Sequence, residues 1–263
     1  MPPKNKKSPY AAAASSTPNP TAVPVQRISW PPLYLPPPLI RSTHLTLDPL
    51  LPDQIYLIPS FFPASLCNTY TRFLCTLPLA TTPSKPKRGE AVRVNDRFQI
   101  NDPGLAKELW VGTGLAELIT GGKVANKQAM EQRWGGEVVG LSPNIRIYRY
   151  GKGQFFDKHY DESNVLQLPI AQGQKQTKCH TTYTLLLYLT APPEVAGGET
   201  IFYHELPKQP GKKGSGGTDV IKVELAKGMA LLHKHGRDCL LHEGAIVTDG
   251  EKWVLRTDLV VRG

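Results

Sequence analysis

The sequence contains little cysteine and none of the paired spacing that binds structural zinc. Its four cysteines, Cys67, Cys75, Cys179 and Cys239, include no Cys-x-x-Cys pair. Isolated thiols of this kind argue against both a zinc site and a disulfide framework. We expect them to be buried or neutral thiols.

Long apolar runs are also missing. No stretch reaches the roughly 18 apolar residues that a membrane-spanning helix needs. The basic start, Met1 to Lys7, is followed by alanine, serine, threonine and proline rather than by the apolar segment of a secretory signal. We therefore expect an intracellular protein, cytoplasmic or nuclear, that does not enter a membrane.

The length and charge set broad limits on what remains. A chain of 263 residues suits one large domain, or one domain with a tail. The formal net charge is +9. This favours acidic partners, such as nucleic acid or acidic peptides, although solvated surface and tail account for such a balance equally well.

Proline is concentrated at the N-terminus, where 13 of the 25 prolines fall within the first 52 residues. Proline lacks a backbone N–H and disfavours helix at the residue before it. We predict that residues 1–50 form a basic, largely disordered tail and that residues 51–263 form the folded domain. Trp30 and Leu33 are among the apolar residues of the tail that could dock on the domain.

Helical patterns come first in the domain and strand patterns come later. Residues 63–74 and 104–119 have apolar residues at helical spacing, and Asp102-Pro103 supplies an N-cap and a proline at the first helical position. Short apolar or alternating segments then recur between turn signals. The pattern predicts an α+β protein with a jelly-roll core over about residues 140–262. The predicted strands are 54–58, 92–100, 144–150, 181–190, 200–203, 220–225, 229–233, 244–247 and 253–261.

Two polar loops join strands that flank the predicted site. They run from Leu168 to Lys178 and from Glu205 to Asp219, and both are rich in lysine, glutamine or glycine. Each is interpreted either as a lid that contacts the substrate or as a tolerated surface insertion.

The short motif His159-x-Asp161 is the centre of the functional argument. Residues two apart on a strand point to the same face, so an imidazole and a carboxylate converge. Together they make two-thirds of the two-histidine, one-carboxylate triad that holds non-haem Fe(II) and leaves coordination positions open.

A third ligand must come from downstream. His233 and His235 lie two apart and resemble a second metal pair, but we interpret them as structural, like His44, His180 and His204. His242 is better placed, because a strand and turn follow it and return a cation ten positions later. Lys252 and Arg256 project to one face, so either could hold the distal carboxylate of a dicarboxylate cosubstrate.

These residues sit within a longer resemblance that spans roughly Val92 to Val261. The run Tyr150-x-x-Gly-Gln-x-Phe-x-x-His159-x-Asp161 resembles the iron-binding segment of the prolyl 4-hydroxylase-like Fe(II)/2-oxoglutarate dioxygenases. Gly-Gly-Glu-Thr at 197–200 and His242-x-Gly with Gly-x-Lys252-Trp are similar to their downstream motifs. One departure is an arginine at position 256, where the collagen-type enzymes need none.

The resemblance implies a double-stranded β-helix with supporting helices and a specific ligand set. His159, Asp161 and His242 would bind Fe(II), while Lys252, or Arg256 in its place, would bind the 5-carboxylate of 2-oxoglutarate. Three further residues would lie beside the cosubstrate, although each aromatic among them is equally typical of a core: Tyr150, Thr184 and Tyr188. The cofactors implied are Fe(II), 2-oxoglutarate and O₂, with ascorbate as an additional reductant.

The implied reaction is hydroxylation of an unactivated C–H bond with release of succinate and CO₂. The substrate expected first is a prolyl residue in an intracellular protein or peptide. A nucleic-acid demethylase or hydroxylase of the same superfamily is an alternative, although no basic stripe interleaved with aromatics is present. A non-catalytic binding module is a third hypothesis, in which the proline-rich tail is read by other domains.

Overall fold

The computed structural model shows two large antiparallel sheets that enclose a pocket, together with a separate two-stranded sheet, and short helices pack outside the larger sheet. It describes six stretches of the chain: residues 28–33, 45–82, 91–121, 126–169, 176–206 and 217–263. This architecture is the double-stranded β-helix, or jelly roll, and the predicted fold class is confirmed. The disorder predicted for the tail falls mostly on residues 1–27 and 34–44, which lie outside the described residues.

The helices precede most of the strands, as the sequence predicts. Helix α1 is followed by two short helices, with a π-helical turn between them, and then by α4. Their bounds are Ala64–Leu74 (α1), Pro103–Lys107 (α2), Glu108–Gly112 (the π-helical turn), Leu115–Thr120 (α3) and Lys127–Trp134 (α4). None of the helices among the described residues is long and apolar enough to cross a membrane.

Strands are numbered here in chain order. The first ten are Asp48–Leu51 (β1), Ile55–Ile58 (β2), Ala80–Thr81 (β3), Arg93–Val94 (β4), Asp96–Asn101 (β5), Glu137–Leu141 (β6), Asn144–Tyr150 (β7), Phe155–His159 (β8), Val165–Pro169 (β9) and Gln176–Tyr188 (β10). The others are Val195–Gly197 (β11), Thr200–Glu205 (β12), Thr218–Val223 (β13), Ala230–Lys234 (β14), Leu241–Gly244 (β15), Val247–Gly250 (β16) and Lys252–Arg262 (β17).

The large sheet has β17 at its centre. Its strand order is β1-β2-β14-β10-β17-β7-β5-β3, with β6 and β9 paired at the ends of β17 and β10. The small sheet has the order β13-β12-β15-β8-β4. All of β17 except its last residue is buried, because helices cover one face of the large sheet and the small sheet covers the other.

Side chains on β17 alternate between two cores. Trp253, Leu255 and Leu259 face the helices, whereas Val254 faces the interior between the sheets. Lys252 and Arg256 share the face of Val254, as period-two alternation requires. This register places two cations inside the jelly roll.

The predicted helix 104–119 is wrong as a single element. Its N-terminus is correct, since Asp102 accepts a hydrogen bond from the Leu105 amide at 2.9 Å and Pro103 is the first helical residue. The helix breaks after Gly112, and Gly114 adopts φ +78°, a left-handed conformation that suits glycine. The predicted strand 244–247 is also wrong, because a break falls there between β15 and β16.

Part of the N-terminal segment packs on the domain. Leu33 is buried in the helix-side core, and Trp30 packs against it beside Phe73, with ring centroids 5.4 Å apart. The Trp30 indole N–H donates to the Asp102 carboxylate at 2.7 Å. The division into a tail of 1–50 and a domain of 51–263 stays a prediction, although β1 already begins at Asp48.

The two predicted loops are shorter than the sequence suggests. β9 and β10 pair as a hairpin, so the ends of the segment 168–178 are strand and only residues 170–175 lie outside the described residues. Similarly, β12 and β13 pair through Glu205 and Thr218, and residues 207–216 lie outside the description. The lid interpretation of these loops stays a prediction.

Candidate metal centre

Two histidines face each other across neighbouring strands of the small sheet. β8 pairs with β15 in a register that sets His159 directly opposite His242. Their rings lie 4.2 Å apart between centroids. Because directly opposed residues project to the same face of a sheet, both imidazoles point into the interior.

The backbone fixes which nitrogen of each ring faces the pocket. The Nδ1–H of His159 donates to the Asp157 carbonyl at 2.7 Å, and the Nδ1–H of His242 donates to the Leu240 carbonyl at 2.9 Å. Each Nε2 therefore keeps a free lone pair, which is the tautomer that binds metal. Burial lowers the pKa of both rings, to about 3 for His159, so both are neutral at physiological pH.

Asp161 supplies the carboxylate, but it lies beyond the end of β8 rather than on it. Its Oδ1 is 3.8 Å from Nε2 of His159, and its Oδ2 is 3.8 Å from Nε2 of His242. The expectation that His159 and Asp161 share one strand is thus wrong, although their side chains do converge. The irregular backbone is held by Gly236, whose amide donates to the Asp161 carbonyl at 2.8 Å.

Arg256 and Thr184 hold the Asp161 carboxylate from behind. Arg256 Nη1 donates to Oδ1 at 3.1 Å and Nη2 lies 2.9 Å from Oδ2, while the Thr184 hydroxyl donates to Oδ2 at 2.8 Å. Burial alone would raise the pKa of Asp161, but Arg256 beside it holds that pKa well below the ordinary value. The carboxylate is therefore ionised and oriented. Arg256 also lies 3.5 Å from a carboxylate oxygen of Asp258.

Lys252 occupies the other end of the pocket, four residues before Arg256 on β17. Its ammonium lies 5.5 Å from the ring centroid of Tyr150 and 5.4 Å from that of Tyr188, and it donates to the Gly198 carbonyl at 2.5 Å. Among the described residues, no carboxylate oxygen lies within 4 Å of it. Burial lowers the pKa of Lys252 to about 8.

The pocket between these ends has a cavity volume of about 40 Å³. Its walls include Tyr148, Phe156 and Leu186 between the histidines and the lysine. A larger cavity, beside Trp30 and the start of α2, has no comparable chemistry. Its acidic residues are Asp102 and Glu108, and Asp102 is already engaged as the helix cap.

The residues present fit both Fe(II) and 2-oxoglutarate. Two neutral imidazoles and one ionised carboxylate are the donor set of a facial-triad iron site, and their ligand atoms lie within 4.8 Å of one another. No carboxylate of the described residues lies within 4 Å of the buried Lys252 ammonium, and Glu199 acts on it only from a longer distance, so the ammonium suits a carboxylate ligand. A hydroxyl-bearing neighbour of this ammonium is Tyr188, whose hydroxyl is 2.7 Å from that of Thr200.

The predicted site residues therefore fall into two groups. His159, Asp161, His242, Thr184 and Arg256 meet at one end. Tyr150, Tyr188 and Lys252 meet at the other. Thr184 and Arg256 were expected near the cosubstrate, but in the structure their contacts are with Asp161.

His233 is a pocket residue that the sequence interpretation misses, because it assigns this histidine a structural role. The side chain is buried in the pocket wall, and its Nε2 is 3.6 Å from Oδ2 of Asp161. Its partner in the predicted pair, His235, is structural as expected. Both ring nitrogens of His235 contact threonine hydroxyls, those of Thr184 and Thr181, at 3.0 and 2.8 Å. His44, also expected to be structural, lies outside the described residues.

Comparison with known proteins gives one family and several remote structural likenesses. Residues 145–257 match the family described as the 2OG-Fe(II) oxygenase superfamily. None of the curated proteins searched matches the sequence.

Solved structures with a similar fold include three prolyl hydroxylases. The viral collagen prolyl hydroxylase of Paramecium bursaria Chlorella virus-1 is 18% identical with a TM-score of 0.47, over 80% of this chain and 97% of that one. A Pseudomonas putida prolyl-4-hydroxylase is 15% identical with a TM-score of 0.48, over 80% and 94%. A Trichoplax adhaerens prolyl hydroxylase, in complex with a hypoxia inducible factor fragment, is 14% identical with a TM-score of 0.48, over 83% and 88%. Identities this low do not carry a substrate from one protein to another.

The matched segment contains the elements that build the site. It begins in β7 and ends in β17, and it includes His159, Asp161, His242 and Lys252. The predicted enzyme class and its Fe(II), 2-oxoglutarate and O₂ cofactors are confirmed, while ascorbate stays a prediction. Residues 145–257, which match the 2OG-Fe(II) oxygenase superfamily, thus carry the site, and the enzyme class they support is an Fe(II)/2-oxoglutarate-dependent oxygenase.

Proposed function

We propose that this enzyme hydroxylates a C–H bond of a prolyl residue in a protein or peptide. The balanced reaction consumes the substrate, 2-oxoglutarate and O₂, and yields the alcohol, succinate and CO₂. The observation that carries the proposal is the convergence of two neutral Nε2 atoms and one ionised carboxylate in a pocket whose other end holds a buried ammonium with no carboxylate partner among the described residues. We assign metal binding to His159, Asp161 and His242, and 5-carboxylate binding to Lys252.

Bound Fe(II) supplies the redox chemistry that couples decarboxylation to C–H oxidation. The side chains of the chain hold and orient the reactants. Arg256 and Thr184 keep the Asp161 carboxylate ionised and aimed, and the carbonyls of Asp157 and Leu240 keep the imidazoles in the ligating tautomer. Apolar walls exclude water from the reacting C–H bond.

Aromatic side chains favour a prolyl substrate. The Phe156 ring stacks on His159 with centroids 3.5 Å apart, and Tyr148 lines the same wall. A group that reaches the metal end must therefore pass an aromatic surface. Proline-containing segments dock on aromatic surfaces of this kind, because the ring is apolar and its backbone is already restrained.

Two arginines beside this wall favour acidic residues near the target proline. The Arg93 guanidinium lies 5.0 Å from the Phe156 ring centroid and 5.8 Å from that of Tyr148. Arg97, on β5, lies directly opposite Tyr148 of β7. Its guanidinium donates a hydrogen bond to the Gln99 amide oxygen. No carboxylate oxygen of the described residues lies within 4 Å of either guanidinium.

Two arginines on β7, in the large sheet, show the contrast. Arg146 pairs with Asp258, and Arg149 pairs with Asp96, each at 2.7 Å. Of these four arginines, Arg93 and Arg97 are thus the two whose charge has no carboxylate partner among the described residues. These cations also suit phosphate, so oligonucleotides make the second arm of the test.

The test is hydroxylation by the full chain, loaded with Fe(II) and supplied with 2-oxoglutarate and O₂. Peptides with one proline flanked by glutamates would be compared with lysine-flanked peptides, alanine-for-proline controls and single-stranded oligonucleotides. We expect succinate release with gain of one oxygen atom on proline, best in the acidic peptides. Arg97→Gln should raise KM for those peptides roughly 2- to 5-fold. Equal reaction of the alanine controls, or reaction of oligonucleotides alone, would overturn the proposal.

A further inference from the structure

His233 is a fully buried histidine whose two ring nitrogens have no hydrogen-bond partner among the described residues. It lies on β14, opposite Thr184 of β10, and only 2% of its surface is exposed. Neither Nδ1 nor Nε2 reaches a donor or an acceptor in the part of the chain that the structure describes. A buried polar group without a partner costs free energy, so such an arrangement calls for a ligand.

The ring of His233 points to the same place as the two triad histidines. Its Nε2 is 3.6 Å from the Asp161 carboxylate, against 3.8 Å for the Nε2 of His159 and of His242. Its ring centroid is 4.6 Å from that of His242. The side chain is thus part of the metal end of the pocket.

Asp161 is not the missing partner. A separation of 3.6 Å is too long for a hydrogen bond. The nearer oxygen, Oδ2, already accepts from Thr184 at 2.8 Å and from Arg256 at 2.9 Å. An imidazole carries at least one N–H in either protonation state. That N–H needs an acceptor which the described residues do not provide.

Permanent metal ligation by His233 conflicts with the enzyme class. A metal held by the facial triad would need its remaining positions for the cosubstrate and O₂. A fourth protein ligand would take one of those positions. An oxygen acceptor on the cosubstrate would satisfy the N–H without taking a position on the metal.

We propose that His233 donates a hydrogen bond to the metal-side carboxylate of 2-oxoglutarate, while Lys252 binds the other carboxylate. His233 would then be a cosubstrate-binding residue at the metal end of the pocket. The inference concerns the cosubstrate alone, so it stands or falls independently of the prolyl substrate.

The experiment compares His233→Phe with the wild type, without any peptide. Phenylalanine keeps an aromatic ring against Phe202, whose centroid is 5.2 Å away, and removes both nitrogens. Co(II) binding would be measured first without cosubstrate. The Co(II)-loaded protein would then be titrated with 2-oxoglutarate, by calorimetry and by visible absorption without O₂. His204→Phe, on β12 and outside the pocket, is the matched control.

We expect the Kd for 2-oxoglutarate to rise about tenfold in His233→Phe, with Co(II) affinity changed less than about twofold. His233→Asn, which restores an N–H donor, should recover part of the loss. A fall in Co(II) affinity without cosubstrate would overturn the proposal in favour of direct ligation. No change in either affinity would overturn it in favour of simple packing.

A measurement on the wild type needs no variant to fold. In Zn(II)-loaded protein with ¹⁵N-labelled histidine, the His233 N–H proton should move downfield when 2-oxoglutarate is added, because it gains an anionic acceptor. An N–H resonance that does not move would refute the hydrogen bond.

Discussion

Lys252 and Arg256 lie four residues apart on the same face of β17, and both are buried, yet their surroundings differ. Arg256 contacts the Asp161 carboxylate through two nitrogens and lies close to Asp258. Lys252 contacts a carbonyl and two aromatic rings. A buried cation with an acidic partner is part of the framework, whereas one without an acidic partner is available to a ligand. The comparison therefore assigns one cation to the metal ligand and the other to the cosubstrate.

The largest expected effect comes from removing the Asp161 carboxylate, which contacts Arg256 and not Lys252. Asp161→Ala and His159→Ala should both lose iron and turnover, because each removes a ligand. Asp161→Ala should also lower the free energy of unfolding more than His159→Ala does, with a loss of roughly 3 kcal/mol, because it leaves Arg256 buried with a weaker acidic partner.

Metal content and urea unfolding of the metal-free proteins would measure these effects. Metal-free protein is needed because bound metal itself stabilises the fold. If the two variants unfold at the same urea concentration, Arg256 does not depend on Asp161 and the comparison fails.

The next largest effect is expected on Fe(II) affinity, because Arg256 orients the metal ligand Asp161. Arg256→Met keeps most of the buried volume but releases the Asp161 carboxylate, whose pKa should rise towards that of a buried acid. We expect Fe(II) affinity to fall roughly 10- to 100-fold, as is usual when a residue that orients a metal ligand is lost. The Kd for 2-oxoglutarate, measured at saturating metal, should change little. A selective loss of cosubstrate affinity would instead make Arg256 the carboxylate-binding residue.

Lys252→Met tests whether Lys252 is the cation that binds the cosubstrate. It should raise the Kd for 2-oxoglutarate roughly 10- to 100-fold, the effect of losing a hydrogen bond between charged groups. Fe(II) affinity should stay the same, because no metal ligand contacts Lys252. The cofactor-free protein should be as stable as the wild type or more so, since the change removes a buried charge that lacks an acidic partner. Destabilisation like that of Arg256→Met would show that Lys252 serves the framework.

Much of this site can be predicted from the sequence, because the period-two alternation of a strand determines which face of the sheet each side chain occupies. Alternation alone puts Lys252 and Arg256 on one face, and the spacing of His242 to Lys252 identifies the returning strand. Sequence patterns do not reveal partners across the sheet. Whether Arg256 meets a cosubstrate or Asp161 depends on the loop after β8, where the backbone leaves the strand at Tyr160.

His233 is a second residue whose contacts the sequence pattern does not reveal. Its strand is predicted correctly, and His235 two residues later has the expected structural contacts. Period two puts both histidines on the same face, so the sequence offers no reason to separate them. They differ because His235, just beyond the end of β14, contacts the hydroxyls of Thr184 and Thr181, whereas the ring nitrogens of His233 have no hydrogen-bond partner among the described residues. Likewise, the break in helix 104–119 depends on a glycine conformation that apolar spacing cannot report.

The smallest expected effect is a pH dependence that belongs to Lys252 alone. Burial lowers its pKa to about 8, so the empty site holds an ammonium below that pH and a neutral amine above it. A carboxylate raises the pKa of an ammonium beside it, so the complex takes up a proton when it forms above about pH 8. The Kd for 2-oxoglutarate should therefore be flat below that pH and rise towards tenfold per pH unit above it. Calorimetry of the Zn(II)-loaded protein from about pH 7 to about pH 9, in buffers of different ionisation enthalpy, measures both the Kd and the proton uptake. Because Lys252→Met has no amine to titrate, its Kd should stay flat over this range, whereas Arg256→Met should keep the wild-type slope. A wild-type Kd that does not change across this range would mean that the ammonium is already paired, and Lys252 and Arg256 would then be equivalent.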